Sequence, residues 1–276
     1  MKKKRIAIAC QGGGTQTAFT AGVLTEWLEQ RVQDKFEISG LSGTSGGAIC
    51  ATAAWYGLER ERNGCAEPAY ATLNEFWQSN AAQTPAEKLF AAVTGAYSWS
   101  TDRGLLPTLP TNPYRDDPAV QVMQAMFPRR EFLDFRALLE KHIDFAELNA
   151  LIRDDSPRLL LGAVKVLSGR FKAFDSRVPG EICVESLLAS AAVPNLFKAV
   201  NVHGELYWDG LFSQNPPVAQ FLSCELERRP NEVWVVLINP LEIQEEPKTT
   251  ADIIDRRNEL GGNISLYQEI SFIELV

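Results

Sequence analysis

Hydrophobic and polar positions along this chain follow two periods in turn. Residues 4–10 make a short apolar run that ends at glycine, the pattern of a strand buried on both faces. From 18 to 31, Phe19, Val23, Leu24, Trp27 and Leu28 recur at helical spacing. The unit then repeats: 36–42 reads as a second strand, and 46–56 as an alanine-rich helix stopped at Gly57. Two strand-helix units in succession predict an α/β fold, a mostly parallel sheet covered by helices.

Further along, from about 59 to 157, the pattern changes to helices punctuated by proline. Trp77, Phe90, Tyr97, Trp99, Phe127, Phe132 and Phe135 are scattered through this stretch. It reads as a helical insertion over the sheet, with the aromatics as core in preference to an acyl-chain pocket. Segments 159–166 and 170–174, joined by Ser168 and Gly169, read as a strand pair, and 233–238 as a later buried strand. Ile264, Tyr267, Ile270, Ile273 and Leu275 then recur at helical intervals, and the sequence stops at Val276 without a capping signal. That ending is the one expected inside a longer polypeptide. No repeat or linker divides the chain, so a single domain over 1–276 is expected.

Composition narrows the choice of partners. With 276 residues and 45% hydrophobic side chains, the chain can bury a sizeable core. Lysine and arginine number 27 against 35 acids, a net charge of −8, which gives no electrostatic reason to gather on nucleic acid or anionic headgroups. The basic start at 1–5 leads into too short an apolar stretch for a signal peptide, and no run approaches the roughly 18 apolar residues of a membrane span. Cys10, Cys50, Cys65, Cys183 and Cys224 show no metal-ligand spacing. They are expected to be reduced, mostly buried thiols of a cytoplasmic protein.

Two glycine turns carry the chemistry. The sequence GTSGG at 43–47 fits G-x-S-x-G between a predicted strand and a predicted helix, the context of a nucleophile elbow with Ser45 at its tip. There the backbone N–H of Gly46 and the positive end of the helix dipole lie where an oxyanion would form. The earlier turn, Gly12, Gly13 and Gly14, can supply further N–H donors. Its rival reading as a nucleotide loop lacks the last glycine of G-x-G-x-x-G, because Thr17 stands there, and it lacks the G-K-[ST] of a P-loop. A serine also needs a base. The two histidines, His142 and His203, sit in an ordinary helical stretch and a turn. Among the carboxylates, Asp209 follows a predicted strand and opens a D-G turn, an arrangement that by itself means only a turn.

The glycine turn with its following helix (12–24), GTSGG at 43–47, ASAAVPNLF at 189–197 and DGLFSQNPPV at 209–218 together resemble the patatin-like phospholipases. The resemblance implies a three-layer α/β/α sandwich and a serine–aspartate dyad without histidine. Ser45 is then the nucleophile, Asp209 the general base, and Gly12, Gly13 and Gly14 the oxyanion hole, with 189–197 and Asn215 positioning the aspartate loop. It implies hydrolysis of carboxylic esters in acyl lipids, no metal or organic cofactor, and transient peripheral contact with a membrane. Three positions depart from the family: Gln16 replaces a basic residue, Thr17 a glycine, and Leu211 a glycine or alanine. Loss of the basic side chain points toward substrates less charged than phospholipids. The rival classes are an acyltransferase on the same dyad, a serine–histidine acyltransferase of the malonyl-transfer type, and a non-catalytic nucleotide-binding or scaffold protein.

Overall fold

The computed structural model describes residues 3–81, a few positions between 88 and 100, and then 134–194, 197–223, 228–248 and 250–275. Its strands are β1 (Lys4–Cys10), β2 (Phe36–Thr44), β3 (Arg158–Lys165), β4 (Phe171–Asp175), β5 (Val200–Val202), β6 (Glu205–Asp209) and β7 (Glu232–Val236). They form one sheet whose hydrogen-bonded neighbours are β5 and β6, β6 and β3, β3 and β2, β2 and β1, and β1 and β7, with β4 also on β3. β7, β1, β2 and β3 are parallel; β4 and β6 run antiparallel to β3. The fold is α/β with a mixed sheet.

The described helices are α1 (Ala18–Glu29), α2 (Val32–Lys35), α3 (Gly46–Arg62), α4 (Ala71–Asn80), α5 (Phe135–His142), α6 (Phe145–Leu151), α7 (Val184–Ser190) and α8 (Thr250–Leu275). The Ile-Ala alternation of β1 sorts them into two layers, because successive side chains of a strand point to opposite faces. Ile6, Ile8 and Cys10 join the main core, where Leu24 of α1, Trp55 of α3, Phe76 of α4, Leu139 of α5 and Leu187 of α7 pack. Ala7 and Ala9 face the other way, onto Phe221, Val218 and Leu266 of α8. The small side chains of that face admit a thin second layer made of a 3₁₀ turn and α8.

Two expectations are corrected. α3 does not stop at Gly57 but runs on to Arg62. Gly57 serves packing instead, since a Cβ there would lie 1.9 Å from the Ala69 carbonyl oxygen. α8 starts at Thr250, a dozen residues before the predicted tail helix, because the Gly261-Gly262 pair hides the continuity of its pattern. Of the aromatics between 59 and 157, Trp77 and Phe135 pack against the main core. Phe90, Tyr97, Trp99, Phe127 and Phe132 lie outside the described residues.

Candidate active site

The pairing along β3 decides what can meet. Residues 160–164 pair with β4 along one edge of β3. β2 pairs with 158–162 and β6 with 163–165, so those two strands must share the other edge. They approach from opposite ends and stop at adjacent places: Thr44 opposite Gly162, Asp209 opposite Ala163. Ser45 follows the one and Asp209 closes the other. A sequence separation of more than 160 residues is thereby reduced to neighbouring rungs of one strand.

Ser45 occupies a costly conformation. Its φ of 56° and ψ of −130° fall in a region that L-residues avoid, and such strain persists only where the surroundings enforce it. The glycines on either side allow it: a Cβ at Gly43 would lie 2.3 Å from the Gly47 carbonyl oxygen, and one at Gly47 would lie 2.3 Å from that of Cys10. Although Ser45 is the N-cap of α3, its hydroxyl makes no capping hydrogen bond, so the turn keeps it free for other work. Its own N–H donates to Ser190 Oγ (3.1 Å), and that hydroxyl donates on to the Gly162 carbonyl (2.7 Å). Ser190 thus ties the elbow to the strand on which β2 and β6 meet.

Asp209 is fully buried. Oδ1 accepts the Leu211 N–H at 2.8 Å, while Oδ2 has no hydrogen-bond partner among the described residues. Burial pushes the carboxyl up to about 7, against the lowering effects of the Leu211 N–H and the neighbouring Ser45 side chain. The serine is near enough to act on the aspartate, yet the two do not form a hydrogen bond of ordinary geometry. The Asp209 N–H donates to the Ala192 carbonyl (3.0 Å), so the 189–197 segment holds both halves of the pair, Ser45 through Ser190 and Asp209 through Ala192.

The glycine turn rises from the end of β1 into a 3₁₀ turn at Gly14–Thr17, fixed by the Thr17 hydroxyl donating to the Gly14 carbonyl at 2.6 Å. Its three amides are not equivalent. The Gly12 N–H is already committed to Asn215 Oδ1 at 2.7 Å, which removes it from the expected donors. Gly13 is half-buried and Gly14 exposed. Gly46 opens α3, where the first N–H groups have no partner within their own helix. Thr17 packs against Gly46 and leaves no room for a side chain there: a Cβ on Gly46 would lie 2.1 Å from Thr17 Oγ1.

Several contributors lay beyond the motifs. Gln11 is fully buried; its Oε1 accepts the N–H groups of Ile238 and Asn239, and its Nε2 donates to Asn263 on α8. On α8, the Gly262 carbonyl accepts from Asn215, the residue expected to position the aspartate loop, and Glu269 accepts the N–H groups of Val218 and Ala219. Both histidines belong elsewhere. His142 packs on α4 beside Ser79 and Phe76, and His203 sits in the β5–β6 turn at the far end of β6 from Asp209. Cys10 and Cys50 are buried, Cys65 and Cys183 partly so, and all four are free. Among the described residues no group of His, Cys, Asp or Glu could hold a metal ion, and no helix is long and apolar enough to cross a membrane.

A strained serine at a strand-to-helix turn, beside a buried carboxylate on a mixed sheet, has the backbone geometry of a nucleophile elbow in an α/β protein. The patatin-like phospholipase family matches residues 8–222, and the chain belongs to that family. Among solved structures, VipD from Legionella pneumophila aligns over 85% of this chain and 49% of its own, at 15% identity and a TM-score of 0.43. The ExoU-SpcU complex from the type III secretion system of Pseudomonas aeruginosa aligns over 98% and 51%, at 15% identity and a TM-score of 0.40. The chain spans about half the length of each. No curated protein matches it.

Proposed function

We propose that this chain is a serine acyl-lipid hydrolase that cleaves carboxylic esters through a Ser45–Asp209 dyad without histidine. The observation that carries the reading is the end-to-end meeting of β2 and β6 on one edge of β3, which delivers a strained serine to a buried aspartate. An aspartate of ordinary pKa would be a weak base toward a serine hydroxyl; one raised to about 7 by burial is matched to neutral pH.

Ionised Asp209 takes the Ser45 proton as Oγ attacks the ester carbonyl. The tetrahedral oxyanion faces the N–H groups of Gly13, Gly14 and Gly46, whose loss costs about 2.7–4 kcal/mol of barrier per donor in comparable sites. The proton passes to the departing alcohol, leaving an acyl-enzyme. Water activated by the same carboxylate then releases the fatty acid. Gln16 is exposed and uncharged beside the glycine turn, which favours esters less charged than phospholipids. An acceptor alcohol in place of water would make the same dyad an acyltransferase.

A p-nitrophenyl ester chain-length series tests the proposal. Wild type should turn over acyl esters, and Ser45→Ala and Asp209→Asn should not rise above background by more than a trace. Equal turnover by Ser45→Ala would end the reading.

A further inference from the structure

Three consecutive glycines cannot hold a turn in shape by themselves. Gly12, Gly13 and Gly14 carry no side chains to pack, and glycine has more backbone freedom than any other residue, whereas N–H donors stabilise an oxyanion only if they already point at it. Their direction must be set from outside. At the far end the Thr17 hydroxyl, on the Gly14 carbonyl, closes the 3₁₀ turn. At the near end the work falls to Gln11. Its N–H still follows the sheet and donates to the Val236 carbonyl at 3.1 Å. Its fully buried side chain makes three hydrogen bonds: Oε1 accepts the N–H groups of Ile238 (2.8 Å) and Asn239 (2.9 Å), and Nε2 donates to Asn263 Oδ1 (2.7 Å).

One further contact carries these bonds to the turn. A Cβ on Gly13 would lie 2.6 Å from Ile238 Cγ2, so the residue whose amide Gln11 holds is also the one whose side chain lies against Gly13. α8 closes the circuit. A Cβ on Gly262 would lie 2.5 Å from Asn239 Nδ2, and the Gly262 carbonyl accepts from Asn215 Nδ2 (3.1 Å), the residue whose Oδ1 takes the Gly12 N–H. Gly262 and Asn263 together therefore hold both side chains, Gln11 and Asn215, that fix the base of the turn. Asn263 is only 1% exposed, and its other bond is a long one, Nδ2 to the Pro240 carbonyl at 3.4 Å. The segment matched by the family, 8–222, includes Gln11 and Asn215 but none of Ile238, Asn239, Gly262 and Asn263.

We propose that Asn263 is a positioning residue for ester hydrolysis: by accepting from Gln11 Nε2 it keeps Ile238 and the glycine turn in place, so that the N–H groups of Gly13 and Gly14 face the oxyanion. This rests on the hydrolase reading of Ser45 and Asp209. Asn263 itself touches no reacting atom. A bond that merely fastened α8 to the sheet would change the melting temperature and leave the rate of the folded protein intact. A positioning bond changes that rate, because a misplacement of about 1 Å can cost about 10²-fold. The loss falls on kcat, since the oxyanion is absent from the bound ester and develops only on the way to the tetrahedral intermediate.

The test is steady-state turnover of a soluble p-nitrophenyl ester by the full chain, at a temperature where thermal melts show each variant folded. Asn263→Ala should lower kcat by about 10–100-fold and leave KM within about twofold of wild type. Asn263→Asp keeps an acceptor oxygen for Gln11 and should restore kcat to within about threefold of wild type. A trifluoromethyl ketone gives a second readout: Ser45 Oγ bonds to its carbonyl carbon, the carbonyl π pair becomes an oxyanion, and the serine proton passes to Asp209. Its affinity for Asn263→Ala should fall by about the same factor as kcat/KM. If Asn263→Ala does not fold, Asn263→Ser, whose shorter side chain withdraws the acceptor, is held to the same limits. A folded variant with kcat within twofold of wild type, a loss confined to KM, or an Asn263→Asp protein as slow as Asn263→Ala would overturn the proposal. A wild type that neither cleaves the ester nor binds the ketone would instead sink the hydrolase reading, and the role of Asn263 with it.

Discussion

Asp209 joins function to stability. Buried with an unpartnered Oδ2 and pushed up to about 7, it must lose its proton to serve as the proposed base, so kcat/KM on a soluble ester should fall on an acid limb centred near pH 7. A profile flat down to pH 5 would contradict this. The same shift has a cost to the fold. Folded Asp209 holds its proton more tightly than the unfolded carboxyl, so its favourable contribution is complete below about pH 4 and is lost as pH rises through about 7. Asp209→Asn should therefore melt above wild type at pH 8, by up to a few kcal/mol of stability, with the gap closing toward pH 4. In the same protein, turnover should drop by about 10²–10⁴-fold. Ser45 was legible in sequence because G-x-S-x-G between strand and helix constrains geometry locally. Asp209 was not legible on its own, since a D-G pair specifies only a turn; it needed the other landmarks. The commitment of the Gly12 N–H to Asn215 was hidden because the partner lies 203 residues away.

Elements were easiest to read where the period was clean. β1 came out with its bounds intact, and the β3–β4 pair within a residue at each end. The errors arose at glycines inside helices: at Gly57, which serves packing and was read as a stop, and at Gly261-Gly262, of which Gly262 packs closely and which together obscured the first half of α8. Gly57→Ala should accordingly destabilise, by on the order of 1–3 kcal/mol, because the added methyl meets a carbonyl. Urea unfolding would measure it, and an unchanged midpoint would refute the packing argument. α8 holds the glycine-turn and 215–219 loops by polar contacts that no periodicity reports: Asn263 to Gln11, Gly262 and Ser265 to Asn215, Glu269 to Val218 and Ala219. Glu269→Ala strands two backbone N–H groups and should cost about 2–4 kcal/mol, with ester turnover reduced alongside. Thermal melts and kinetics on one preparation would show whether both fall.

For the molecule as a whole, topology supplies what the motifs leave open. A mixed sheet lets two strands end against each other on a shared edge, and the catalytic proposal depends on that meeting. Histidine has no part in it, so His142→Ala and His203→Ala should each keep ester turnover within about twofold of wild type, as expected for residues outside the acid–base pair. Loss of turnover in either would revive the serine–histidine alternative. The central claim is that Ser45 is an activated nucleophile. Reaction with a fluorophosphonate followed by intact-protein mass spectrometry tests it most directly. A working dyad requires an adduct on wild type, mapped to Ser45, slower below pH 7 and absent from Ser45→Ala; an unlabelled wild type, or a Ser45→Ala protein that labels equally, would contradict it.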